Sequence, residues 1–144
     1  MEPEAIPALE RRVAEALEPM LDNTDGDWVK QVDGRSEFYS KNRLWQYERT
    51  SHDYSTGEWV PRPIGTDGNA MLALIAAMLR RGFRYEARSS SGSSSEFHYV
   101  EFIWTGQDGF EVQRDDAAAT LPLAVLLTAA KALGVEEEKT TEGA

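Results

Sequence analysis

Three short stretches hold the residue types from which a site could be built. Ser51, His52 and Asp53 stand consecutively and supply the groups of a nucleophilic triad. A triad works because the fold brings those groups into mutual hydrogen-bond contact. Neighbours on an extended chain project to opposite faces, so this spacing does not deliver that contact. Arg43, Trp45, Tyr47 and Arg49 alternate within "RLWQYER". On a strand they share one face. Rings stack on bases and guanidinium groups pair with phosphates, so these four form the candidate ligand-binding face. The competing expectation is a core role for the rings, with the arginines reaching outward. "DNTDGDW" invites a calcium reading. Setting Gly26 at the sixth position puts Leu21 at the first and Val32 at the twelfth, where that loop needs acidic ligands. His98 lies among strand apolar residues and reads as a satisfied histidine. Asp115 and Asp116 precede a helix start, where carboxylates complement the dipole. HExxH, P-loop and GxGxxG patterns do not occur. We expect no catalytic residues, no metal site and no cofactor.

Composition narrows the choice of partner. The chain has 144 residues, the size of one domain, and no Cys. Its formal net charge is −10. That charge is unevenly placed. Residues 28–88 hold ten Lys/Arg and seven Asp/Glu, while the remainder holds five and eighteen. The acidic remainder serves solubility. The window 28–88 is a local basic region able to hold an anion. Duplex nucleic acid is not an expected partner, since the net field repels phosphate. "MEPEAIPALERR" lacks the basic start and apolar run of a signal peptide, so a cytoplasmic protein without a membrane association is expected.

The elements that must position these residues follow from periodicity. Ile6, Leu9, Val13 and Leu17 form one helical stripe. "DWVKQV" and "RLWQYER" read as strands, with a short strand at Glu58–Val60. "TDGNAMLALIAAMLRRG" is a helix capped by Thr66 or Asp67 and ended by Gly82. "FRYEAR", "EFHYVEFIW" and "FEVQR" read as three antiparallel strands. "SSSGSSS" reads as a long hairpin loop. "TLPLAVLLTAAKALG" is a helix started by Thr120 and Pro122 and ended by Gly134. It is apolar on nearly every side, yet about a dozen residues are too short to cross a bilayer. Such a helix lies on a sheet and is covered again by a neighbouring helix or partner. One domain over residues 1–135 and an acidic, disordered tail at 136–144 are expected.

Several of these stretches together resemble the phage ABA-sandwich domain, a family of small phage and prophage proteins. "WVPRPIGTDGNAM" is similar to that family's Trp, Pro and Thr/Ser-Asp helix start, here Trp59, Pro61, Thr66 and Asp67. "MLRRGFRYEA" is similar to its helix end and next strand. "YVEF" is similar to its central strand. "AAATLPLAVLLTAAKAL" is similar to its closing helix, here Thr120, Pro122, Leu123 and Ala124. The likeness spans roughly residues 56–134, with residues 33–57 an elaboration outside it. The resemblance implies an α/β (α+β) fold, an α-β-α sandwich whose antiparallel sheet carries helices on both faces. It implies a phage or prophage accessory protein and brings no catalytic residues. The expected role is a non-enzymatic binding module for a partner protein or host factor, or self-association. The alternatives are a binder that sequesters a nucleotide-like anionic ligand, or a small hydrolase.

Overall fold

The computed structural model describes residues 2–20, 26–51, 56–91, 96–106, 109 and 111–136. His52, Asp53, Tyr54, most of the serine-rich loop and the tail from 137 lie outside the described residues.

A 3-10 turn at Pro3–Ala5 leads into α1, Ile6–Leu17. Leu9 and Val13 of its apolar stripe are fully enclosed, and Ile6 and Leu17 pack beside them. Pro19 disfavours helical geometry in the residue before it, and Glu18 accordingly leaves the helix at φ −145. Four strands follow: β1 (Gly26–Lys30), β2 (Ser36–Ser40), β3 (Trp45–Arg49) and β4 (Gly57–Pro61). They form an antiparallel sheet in sequence order. Its register aligns Trp28 with Phe38, and Tyr47 with Trp59. The Tyr39–Gln46 pairing brings Phe38 level with Tyr47. A row of four rings thus crosses the sheet, with neighbouring centroids 5.1, 6.3 and 5.4 Å apart. Phe38 lies over Gly26, where a Cβ would stand 2.6 Å from the ring.

α2 spans Gly68–Arg80. Asp67 is its N-cap and accepts from the Asn69 N–H at 2.9 Å. Ala70, Met71, Leu74, Ala77 and Met78 form its buried side. β5 (Arg84–Ser91), β6 (Glu96–Thr105) and β7 (Glu111–Ala118) make a second antiparallel sheet with β6 in the centre. α3, Leu121–Leu133, ends at Gly134 in the left-handed region, φ 72.

α3 explains its own composition. It touches β6 and β7 on one side and α1 and α2 on the other. Ala124, Val125, Leu126, Ala129 and Ala130 are fully buried. Its single buried polar side chain, Thr128, donates back to the Ala124 carbonyl at 2.7 Å. One apolar cluster runs from Trp45 through the three helices to Val100 and Phe102.

The class is α+β, with antiparallel strands and three helices. The expected single sheet is in fact two, of four and three strands. β2 was not anticipated. It is five residues long, and its Phe38 and Tyr39 point to opposite faces, so no clear alternation marks it. The carboxylates of Asp115 and Asp116 do not stand in the first turn of α3, which begins only at Leu121. Both residues lie inside β7, and Asp116 pairs with Lys131 at 3.2 Å.

Candidate functional site

The four-residue candidate face does not assemble. Trp45 is 2 % exposed, and its indole N–H donates to the Glu18 carbonyl at 2.8 Å. Tyr47 belongs to the aromatic row. Arg49 is exposed at the far end of β3. Arg43 precedes the strand altogether and sits in the turn between β2 and β3, so the alternation stops before reaching it.

That turn is nevertheless the centre of a site. Arg43 closes it by donating its N–H to the Ser40 carbonyl at 2.8 Å. Its φ is +61, the one positive value at a non-glycine residue among the described residues. L-residues pay about 1–2 kcal/mol there. Glu18 grips the turn from behind. Its carboxylate accepts from the Ser40 hydroxyl at 2.5 Å and from the Asn42 N–H at 2.8 Å. The Ser40 oxygen in turn accepts the Trp45 N–H at 3.0 Å. The end of α1 therefore fixes the hairpin, and the hairpin presents Lys41, Asn42 and Arg43 outward.

Opposite the turn stands α2, and between them lies a cleft of about 550 Å³. β1 and the residues after it contribute Val29, Lys30, Gln31 and Val32, and β2 contributes Tyr39. α2 contributes Asn69, Leu72, Ala73, Ala76 and Arg80. Arg62, just past β4, completes the lining. Arg62 is only 5 % exposed. Its guanidinium lies 4.0 Å over the Tyr39 ring and donates to the Arg43 carbonyl at 2.9 Å. Gln31 donates to the Tyr39 hydroxyl at 2.7 Å. Arg80 reaches the Asn42 side-chain oxygen at 3.4 Å.

The electrostatics of this cleft run against those of the chain. Five cations line it, Lys30, Lys41, Arg43, Arg62 and Arg80, and no carboxylate does so among the described residues. The ion pairs of the described residues involve other arginines and Lys131, and none engages these five. The nearby Glu18 spends both oxygens on the turn. Like charges left together without counter-charge attract an anion. The left-handed φ of Arg43 is the conformation with which a short hairpin turn commonly closes, here occupied by a cation instead of glycine.

Of the cleft's cations the sequence singled out Arg43 alone. Lys30, Lys41, Arg62 and Arg80 are scattered over fifty residues, and only the fold gathers them. The signal that could have found them is the basic balance of residues 28–88, which contains all five.

The second sheet carries a different polar cluster. Tyr99 donates its hydroxyl toward Glu101 and Asp115, each at 2.7 Å. Those two carboxylates push the phenol pKa well above its ordinary value, so it keeps its proton. Arg88 stands over the Tyr99 ring at 5.0 Å and 3.7 Å from Glu101. Arg88 offsets one of the two carboxylates, so this cluster stays acidic on balance and does not attract an anion. His98 lies 2.7 Å from Ser89 through Nδ1, a cross-strand pair. No cluster of metal-ligating side chains occurs among the described residues, and none of their helices is long and apolar enough to cross a membrane. No protein-family model matches the chain, nor does any curated protein sequence or solved structure, so the functional reading rests on the cleft's own geometry.

Proposed function

We propose that this protein is a non-enzymatic binder of a small phosphate-bearing anion, held in the cleft between the β2–β3 turn and α2. The observation that carries the reading is Arg62. It is a guanidinium at 5 % exposure with no ion-pair partner among the described residues. The Tyr39 ring and the Arg43 carbonyl compensate it in part, but neither is a counter-charge, and an anionic ligand would supply one. Arginine forks match phosphate oxygens in geometry as well as charge. The lining also offers amides from Gln31, Asn42 and Asn69, suited to holding polar ligand atoms. Among the described residues it offers neither imidazole nor carboxylate to act as a general base, which favours holding over turnover. A cleft of this volume suits a molecule of small-ligand size.

A partner-protein module is the other reading, and the buried Arg62 favours the ligand over it. The stretches around Trp59–Asp67 and Thr120–Ala124 support a phage or prophage accessory setting for such a binder. The test is a thermal-shift series with inorganic phosphate, pyrophosphate and mono- and cyclic nucleotides. A ligand at 100 times its Kd stabilises by about 2.7 kcal/mol, several degrees for a domain of this size. Arg62→Met should abolish the shift and itself raise the melting temperature of the unliganded protein. A blank series, or an undiminished shift in Arg62→Met, would remove the cleft from consideration.

A further inference from the structure

The cleft is not uniformly polar. Arg62, Arg43, Lys41 and Arg80 gather about the turn, whereas Val32 and Leu72 line the cleft from the chain after β1 and from α2. Val32 is fully exposed and Leu72 is 59 % exposed. Each apolar side chain left in water forfeits roughly 25 cal/mol for every Å². Val29, Ala73 and Ala76 continue the aliphatic lining. The single ring in the lining, Tyr39, is 6 % exposed and is already covered by the Arg62 guanidinium at 4.0 Å. Its hydroxyl is taken by Gln31. No open aromatic face remains among the described lining residues for a base to stack on.

From this two-part lining we infer that the ligand is an amphiphilic phosphomonoester, with its dianionic head on the arginine cluster and an aliphatic body against Val32 and Leu72. Several cations match a dianion better than a single negative charge. The exposed Val32 and Leu72 match hydrocarbon, and the covered Tyr39 withholds the stacking that a nucleobase uses. This inference rests on the anion-binding reading of the same cleft and adds the chemical class of the body.

Isothermal titration with the intact protein separates the two. The probes are inorganic phosphate, hexyl phosphate and adenosine monophosphate. Hexyl phosphate should bind at least tenfold more tightly than inorganic phosphate, and adenosine monophosphate should not exceed inorganic phosphate by more than about threefold. Val32→Asn with Leu72→Asn, two exposed positions that do not support the core, should bring hexyl phosphate down to the affinity of inorganic phosphate. Equal affinities for phosphate and hexyl phosphate, a hexyl advantage that survives the double substitution, or adenosine monophosphate as the tightest probe would overturn the aliphatic body while leaving the anion cleft intact. No heat with any of the three probes would overturn the cleft reading and this inference with it.

Discussion

Arg43 shows how one residue can trade stability for charge. Glycine or asparagine is the ordinary occupant of a left-handed turn position, because a Cβ there crowds the following carbonyl. Here φ is +61 and the residue is an arginine lining the cleft. Arg43→Gly relieves about 1–2 kcal/mol of strain but frees the unfolded chain by about 0.4–1 kcal/mol, so it should raise stability by at most about 1 kcal/mol, a few degrees in Tm. It should also weaken phosphate binding about tenfold, the scale of one charge-assisted contact. Calorimetric melting and titration of one variant measure both, and a loss of stability would show that the strain held at the turn is smaller than the freedom gained by the unfolded chain. Glu10 is a second residue held at a cost. It is 7 % exposed, and its carboxylate accepts the Gly65 N–H at 2.9 Å. Burial raises its pKa above the ordinary value, against the smaller opposing effect of that hydrogen bond. The folded state thus holds the Glu10 proton more tightly than the unfolded state does. The stability this contributes is present in full below the ordinary carboxylate pKa and is lost as pH rises through the raised folded value. Glu10→Gln keeps an acceptor for Gly65 and removes the charge. Its Tm should exceed the parent's at pH 7, with the difference shrinking toward pH 4. A constant difference across that range would show that titration of Glu10 is not its source.

At the scale of elements, the sheet of four strands is shaped by where glycine permits a ring. Gly26 lies under Phe38, and a Cβ at Gly26 would meet that ring at 2.6 and 2.7 Å. Gly26→Ala should push Phe38 out of the aromatic row and cost about 1–3 kcal/mol. Gly68, the first residue of α2, has nothing within 4 Å of its would-be Cβ. Gly68→Ala should instead stabilise by about 0.4–1 kcal/mol by reducing the freedom of the unfolded chain. Urea melts of the two variants should shift the midpoint in opposite directions, and a shift of the same sign would refute the ring-over-glycine account. The same contrast marks what could be read before folding. α1, α2 and α3 announce themselves through stripes such as Leu9 and Val13, and through Asp67 and Gly134 at their ends. The three strands β5, β6 and β7 likewise follow from alternation around the apolar Val100 and Phe102. β2 and the division into two sheets do not, because β2 is short and without clear alternation, and nothing local in β4 or β5 says that they stay unpaired across α2. The cleft was hidden for a related reason. Arg62 and Arg80 stand 18 residues apart in the chain with nothing local to join them, and Arg43 seemed to belong to a strand that begins two residues later.

The whole molecule sets a barrier around the site it carries. Its formal charge is −10 with the five cleft cations included, so the remaining surface is more acidic still. An anion far from the protein meets the sum of those charges and is repelled. Only within the cleft does it meet Arg62 and its neighbours first. Salt separates these two fields, because screening acts on distance. The Debye length is about 30 Å at 0.01 M salt and about 8 Å at 0.15 M. Raising salt across that range hides the acidic surface from an approaching ligand while leaving contacts of a few Å largely in force. The association rate of a phosphomonoester should therefore rise between 0.01 and 0.15 M salt, by about two- to fivefold, opposite to the fall seen for ligands steered by attraction. Dissociation should quicken only modestly, since exchange of a ligand in the cleft is governed by the near cations. Stopped-flow measurement of both rates, in a non-coordinating salt, resolves the two effects. An association rate that falls steadily with salt would mean that the cleft's field reaches beyond the acidic surface. An unchanged rate would mean that the acidic residues lie too far from the approach path to matter.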